Sequence, residues 1–112
     1  MSDAALLVYT TFPDEETALA IGETLVRDRL AACMNVLPGM RSVYRWKEEV
    51  ERGAEVVGIV KTCAALRDEV AAALAARHPY ETPVILFFEP DSTPATLAWL
   101  VESTAAPLAD RS

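Results

Sequence analysis

Apolar and polar residues along this chain switch between two periods, and the switch points divide it into short segments. A β-prone apolar run over residues 6–11 stops at Phe12-Pro13. Asp14 then offers an N-cap for a helix whose apolar residues Ala18, Ile21 and Leu25 recur at helical spacing. The first quarter of the chain therefore predicts a strand followed by an amphipathic helix.

The remaining pattern predicts a hairpin, a second helix, a strand and a third helix. Residues 33–46 form an extended stretch in which Pro38-Gly39 predicts a kink or bulge, and the polar residues 47–53 form a hairpin tip. The strand over 55–62 that follows is expected to pair antiparallel with the stretch over 33–46. A second helix follows, with Leu66, Val70, Ala73 and Leu74 on one face, and ends at Pro79. After it comes a strand over 84–88. The last element is a helix that begins at Thr93-Pro94 and carries Leu97, Leu100 and Val101 on one face.

The order β-α-β-β-α-β with an added C-terminal helix is typical of the ferredoxin-like arrangement. Its fold class is α+β: an antiparallel sheet carries both main helices on one face. At 112 residues the chain predicts a single domain, 1–112, with an ordered core over about 4–104.

The predicted strands are apolar on both faces. A sheet covered on one side should alternate apolar and polar residues, yet in the last strand Leu86 and Phe88 alternate with Ile85 and Phe87. The edge strand also carries Trp46. Helices can cover only one face, and large exposed apolar patches are uncommon on soluble monomers. The pattern thus predicts a homo-oligomer.

Charge and cysteine content narrow the classes of partner and compartment. A net charge of −7 argues against nucleic acid and anionic membrane surfaces as partners. No apolar run is long enough for a membrane span, and no signal peptide opens the chain. Cys33 and Cys63 are too few for a disulfide framework and do not form a CxxC pair. We therefore expect a cytoplasmic protein with reduced thiols.

The densest cluster of site chemistry lies in the connector between the second helix and the last strand. The segment reads Arg77-His78-Pro79-Tyr80-Glu81-Thr82-Pro83, and its two prolines hold the backbone extended. Imidazole, phenol and carboxylate therefore project from a stiff segment.

Six segments that run in order over about 6–104 carry a family resemblance. They are Thr10-Thr11-Phe12-Pro13-Asp14-Glu15, Leu30-Ala31-Ala32-Cys33-Met34-Asn35, Pro38-Gly39-Met40-Arg41-Ser42-Val43-Tyr44-Arg45-Trp46, Ile59-Val60-Lys61-Thr62, His78-Pro79-Tyr80-Glu81-Thr82-Pro83 and Ala98-Trp99-Leu100. Together they resemble the divalent-cation tolerance protein family, CutA. The resemblance implies a ferredoxin-like fold in a tight cytosolic homotrimer whose sheets face the three-fold core. It also implies a role in tolerance of divalent metals, copper in particular, and a likeness of fold to the PII signalling proteins.

Three residues are candidates for binding copper or another divalent cation between subunits: His78, Glu81 and Cys33. Imidazole and thiolate suit copper and zinc. Each has a structural alternative, since a lone His beside Pro is often a hydrogen-bonded residue and free Cys often packs as a small hydrophobe. Copper-binding members of the family can carry Cys where this chain has Thr10 and a second His where it has Arg77, so binding here is expected to be weak.

A second group is a candidate ligand cleft between subunits: Asn35, Arg45, Trp46, Lys61 and Tyr80. With Arg41, these residues suit a small anion; alternatively they form interface salt bridges and hydrogen bonds. Motifs for nucleophilic catalysis, phosphate binding and dinucleotide binding are missing from the sequence. We expect a non-enzymatic trimer of metal homeostasis with no organic cofactor. The alternative is a scaffold or PII-like signalling trimer that binds a small ligand or a protein partner, unidentified by the sequence, in its clefts.

Overall fold

The computed structural model describes residues 3–106. Its strands are β1 (Ala5–Phe12), β2 (Cys33–Trp46), β3 (Glu49–Cys63) and β4 (Ile85–Phe88), and its helices are α1 (Glu15–Arg27), α2 (Arg67–Arg77, after a 3₁₀ turn over Ala64–Leu66) and α3 (Pro94–Ser103). Asp14 caps α1 by accepting from the Thr17 N–H at 2.7 Å. Within 3–106 no helix is long and apolar enough to cross a membrane.

The four strands form one sheet in the order β2-β3-β1-β4, and every neighbouring pair is antiparallel. Helices α1 and α2 lie on the same face, since Leu25 and Leu74 share one core with Val8 and Val60, all completely buried. The predicted element order, α+β class and antiparallel sheet are confirmed.

The hairpin of β2 and β3 is longer than the sequence predicts. Residues 47–53 were expected to form its polar tip, but β3 already begins at Glu49 and pairs Glu49 with Trp46. Only Lys47 and Glu48 form the turn, both with positive φ (48° and 72°). Such a two-residue turn matches strand twist and favours Asn-Gly, which is absent here, so the usual sequence signal is missing. Residues 47–53 resemble a turn in composition because both faces of the hairpin are exposed here, so polar residues occupy both faces of a strand.

The predicted kink at Pro38-Gly39 is confirmed. The register between β2 and β3 shifts between Leu37 and Met40, and Gly39 has a φ of +88°, a conformation that glycine adopts at little cost. The bulge separates the sheet-embedded half of β2 from the half that extends as the free hairpin.

The sheet face away from the helices, which we call the open face, is apolar. Register places Tyr9 between Ile59 of β3 and Leu86 of β4, and Leu7 beside Phe88. Leu86 and Phe88 are 49 % and 53 % exposed in the single chain. The prediction that the strands are apolar on both faces is therefore confirmed.

Thr10 is the one side chain of the described core whose hydroxyl lacks a partner. It is fully buried, and within residues 3–106 its Oγ1 accepts and donates no hydrogen bond. A buried unsatisfied hydroxyl costs free energy, whereas a methyl of similar size costs none. We expect Thr10→Val to increase the free energy of unfolding by about 1 kcal/mol, measured by guanidinium denaturation at fixed chain concentration.

Thr10→Ser provides the matched comparison. It keeps the hydroxyl and removes the methyl, so it should lower the free energy of unfolding by about 1 kcal/mol. A Thr10→Val variant less stable than the wild type would show that the hydroxyl has a stabilising partner.

Candidate functional site

His78 lies at the C-terminus of α2 and turns its ring back onto the end of β1. Its Nε2 lies 2.6 Å from the Thr11 carbonyl oxygen, and its Nδ1 lies 3.2 Å from the Tyr80 backbone nitrogen. A carbonyl can only accept and an N–H can only donate, so the ring is neutral with its proton on Nε2. The ring also stacks on Phe12, with centroids 4.9 Å apart and planes 12° apart. His78 therefore fixes the connector to β1.

This arrangement bears directly on metal binding by His78. A metal needs a nitrogen lone pair, but the Nε2 lone pair carries the proton and the Nδ1 lone pair accepts from Tyr80. Ligation by His78 requires that one of these two hydrogen bonds open. In the single chain His78 is a hydrogen-bonded structural histidine, the alternative stated above. Its role as a metal ligand stays a prediction.

The other predicted metal ligands lie on different elements of the chain. Cys33 is half-buried at the start of β2, where it pairs with Lys61, and Glu81 is exposed in the connector. Within residues 3–106 no group of three or more His, Cys, Asp or Glu side chains is arranged to hold a metal ion. A site made from these residues therefore needs donors from more than one chain.

Cys63 packs in a small buried cluster with Ala5 and Leu100. It is buried, and its Sγ lies 3.6 Å from the Thr104 hydroxyl. Burial raises the pKa of this thiol, which keeps it protonated and a poor metal ligand.

A cavity of about 520 Å³ opens between the free hairpin and the connector. We call it the hairpin cavity. Its lining combines aromatic rings, carboxylates and small residues: Thr11, Tyr44, Arg45, Trp46, Glu51, Gly53, Ala54, Glu55, Tyr80, Thr82 and Val84. Register places Tyr44 and Trp46 of β2 on the same face of the hairpin as Glu51 and Glu55 of β3, and this face continues the open face.

Two tyrosines of the cavity interact with its carboxylates. The Tyr80 hydroxyl donates to Glu55 Oε2 at 2.9 Å. Removal from water and this bond to Glu55 raise the pKa of Tyr80 well above 10. Removal from water, with the negative charge of Glu51, also raises the pKa of Tyr44. Both phenols therefore stay neutral and act as donors.

The structure brings together three of the five residues of the predicted cleft. Arg45, Trp46 and Tyr80 line the hairpin cavity, whereas Asn35 and Lys61 lie at the far end of the open face. Lys61 is eleven residues along β3 from Val50, the partner of Arg45. At about 3.3 Å per residue Lys61 lies roughly 35 Å from Arg45 within one chain, whereas Glu55, which binds the Tyr80 hydroxyl, is six residues or about 20 Å from Lys61.

Sequence reasoning missed Tyr44, Glu51 and Glu55. The signal was present as the period-two spacing of Glu51, Gly53 and Glu55, which puts both carboxylates on one face of a strand. It was lost because residues 47–53, with Glu51, were interpreted as a hairpin tip, so that only Glu55 fell within the predicted strand.

Tyr80 should make stability depend on alkaline pH. Its folded-state pKa is higher than in the unfolded chain, so its contribution is complete below pH 10 and is lost as pH rises above 10. We expect the free energy of unfolding to fall more steeply above pH 10 in the wild type than in Tyr80→Phe. Denaturant titrations at pH 8, 10 and 11 measure both slopes, and equal slopes would contradict the Tyr80–Glu55 interaction.

Comparison with known proteins gives one consistent result. Residues 6–103 match the family described as CutA1 divalent ion tolerance protein. The chain is 38 % identical over 99 residues to the divalent-cation tolerance protein CutA of Thermus thermophilus, covering 88 % of this chain and 96 % of that protein. It is 39 % identical over 100 residues to the protein of the same name from Pyrococcus horikoshii, covering 88 % and 97 %.

Solved structures agree with the sequence matches. The crystal structure of the divalent ion tolerance protein CutA1 from Ehrlichia chaffeensis superposes with a TM-score of 0.89 at 32 % identity, covering 95 % of this chain and all of that chain. The architecture described above is thus shared over nearly the whole length of both chains.

Proposed function

This chain belongs to the CutA1 divalent ion tolerance protein family, and from that membership we propose that it acts in tolerance of divalent metal ions, copper among them, as a cytoplasmic assembly of three copies. The open face carries the proposal. Ile59, Leu86 and Phe88 lie on the sheet face opposite α1 and α2, where α3 packs Leu100 only against the end of the face at Ala5 and Cys63. An identical face on another copy is a complementary cover for the rest. We assign the assembly a binding role, without an organic cofactor, and no enzymatic one.

Metal would bind weakly and between subunits. Cys33 starts the edge strand β2 on the open face, so packing of open faces would bring thiols of different copies toward one another. His78 and Glu81 would complete a site only where a neighbouring chain opens the bonds of the imidazole. Thiolate with imidazole favours copper and zinc over magnesium and calcium.

Copper titration of the purified assembly against a competing chelator tests this proposal. We expect binding of Cu⁺ and Cu²⁺ at micromolar concentration, weakened about tenfold or more by Cys33→Ser. For the imidazole, His78→Gln is a sharper variant than His78→Ala, because an amide N–H can still donate to the Thr11 carbonyl while the metal ligand is lost.

Cys63→Ser is the matched control, since this thiol is buried against the Thr104 hydroxyl and burial raises its pKa. It should bind copper as the wild type does. The proposal fails if the wild type does not compete with the chelator, or if Cys33→Ser and His78→Gln both bind unchanged.

The hairpin cavity favours a second candidate function, a PII-like signalling or scaffold role in which a small ligand or a protein partner occupies the cleft. Its volume of about 520 Å³ lies in the range of small-molecule sites, and it mixes aromatic walls with few polar groups. A thermal-shift screen with metabolites tests it, because a ligand specific for the folded state raises the melting temperature. Failure of every compound to shift the transition would count against a small ligand in the cleft.

A further inference from the structure

We propose that the hairpin of β2 and β3 binds an acidic segment of a partner protein on the face opposite the open face. We call this surface the basic face. Its residues are Arg41, Val43 and Arg45 of β2 with Val50 and Arg52 of β3. Binding here needs neither a metal nor a ligand in the hairpin cavity, so it stands apart from both functions proposed above. Of these residues only Arg45 also borders that cavity.

Strand alternation puts the basic face on the helix side of the sheet. Val56 and Val60 of β3 belong to the core that α1 and α2 cover. Arg52 and Val50 continue the same alternate positions toward the hairpin turn. The helices do not cover this part, since Val43 is 71 % and Val50 65 % exposed. Copies that pack through their open faces therefore leave the basic face uncovered.

Three arginines crowd the basic face without a counter-ion. Arg41 and Arg45 stand two residues to either side of Val43, and Arg52 pairs with Val43 across the ladder. Arg52 is therefore a diagonal neighbour of both other arginines, at about 7–8 Å between Cα atoms. All three side chains are exposed, and within residues 3–106 none of their guanidinium groups has an ion pair or a hydrogen bond. The three positive charges repel one another until an anion binds.

The carboxylates of the hairpin lie away from the basic face. Glu49, Glu51 and Glu55 occupy the alternate positions of β3 that continue the open face. Lys47 and Glu48, one residue of each sign, form the turn. The hairpin thus presents carboxylates on one face and guanidinium groups on the other.

The residues of the basic face match a protein segment better than a small anion. Guanidinium groups bind carboxylates through two parallel hydrogen bonds. The two valines between them are the most exposed large apolar side chains of residues 3–106, and they gain from an apolar contact. An extended segment with carboxylates at i and i+4 and an apolar residue at i+2 repeats the spacing of Arg41, Val43 and Arg45.

The charge of the whole chain favours a short acidic segment over a large polyanion. At a net charge of −7 per chain, the assembly repels an extended anionic surface such as a membrane or a nucleic acid. Salt screens charges beyond about 8 Å at physiological ionic strength. A short segment in contact with the basic face therefore interacts with the arginines and little with distant carboxylates.

Three short peptides separate charge from apolar contact. We would titrate the assembled protein at pH 7 with acetyl-Glu-Ser-Leu-Ser-Glu-amide and follow the backbone amide signals of Val43 and Arg52 by NMR. We expect both signals to move, and binding to be about tenfold tighter than for the peptide with Gln in place of both Glu. The peptide with Ser in place of Leu should bind about threefold less tightly than the first. Salt at about 0.5 M should remove the advantage of the acidic peptide.

Variants locate the charge that selects the acidic peptide. Arg52→Gln keeps a long polar side chain and removes the charge, so the acidic peptide should bind about tenfold less tightly. Arg27→Gln is the matched control, because this exposed arginine ends α1 beside Met34, at the other end of β2 from the hairpin turn. Its loss changes the net charge equally and should leave the affinity unchanged.

Four results would overturn the inference. If the Gln peptide binds as tightly as the acidic one, or Arg52→Gln binds the acidic peptide as the wild type does, the arginines do not select the ligand. If the acidic peptide moves neither signal at millimolar concentration, the basic face does not bind such a segment. If phosphatidylserine vesicles move the signals and the peptide does not, the face contacts lipid. If Arg52→Gln lowers the mass in light scattering, the face is a contact between copies of the chain.

Discussion

Light scattering of the purified protein should return about three times the 12.2 kDa of one chain, and Ile59→Glu should reduce that mass to one chain. Ile59 lies in the middle of the open face, between Tyr9 of β1 and Asn35 of β2. A carboxylate there stays hydrated in the separate chain but would be buried without a partner charge in an assembly that packs open face on open face. That burial costs several kcal/mol per copy, enough to abolish the interface.

The control places the same charge on the opposite side of the molecule. Ala72 is exposed on α2, so Ala72→Glu should keep the mass of the wild type. A wild type that scatters as a single chain would contradict the trimer. An Ile59→Glu variant that retains the full mass would show that the copies meet through another surface.

The open face could be predicted from sequence because its signal is local. Strand residues alternate between faces, so apolar residues at both parities in 84–88 already indicate two buried faces. The bulge was equally visible, since Pro38-Gly39 interrupts a strand by its own backbone preferences. Neither inference depends on knowing what lies far away in the chain.

The candidate site could be predicted only in part, because its geometry depends on residues that are far apart in the sequence. His78 was recognised as chemically rich, but its hydrogen-bond partner at Thr11 is 67 residues away and could not be foreseen. The carboxylate that accepts from Tyr80 comes from a strand whose first residues resemble a turn. Site geometry depends on such long-range pairs, whereas the strand and helix pattern does not.

Phe12→Ala should lower the free energy of unfolding by about 3–5 kcal/mol, the largest loss expected from a single truncation in this chain. The Phe12 side chain is completely buried at the end of β1 and fills the space over Gly58, where an added Cβ would lie 2.6 Å from its Cε2. Removing the ring leaves a cavity that β3 cannot fill, because Gly58 has no side chain. It also removes the ring on which His78 stacks.

The size of this loss separates a core role for Phe12 from a peripheral one. Leu19 is 48 % exposed on α1, so Leu19→Ala should change the free energy of unfolding by about 0.5 kcal/mol or less. Denaturant titrations at one chain concentration compare the two variants, since unfolding of an assembly depends on concentration. If Phe12→Ala cost no more than Leu19→Ala, the stack of Phe12, His78 and Tyr80 could not be what holds the connector against β1. A large loss with the two imidazole hydrogen bonds retained would show that the ring contact and the bonds stabilise the connector independently.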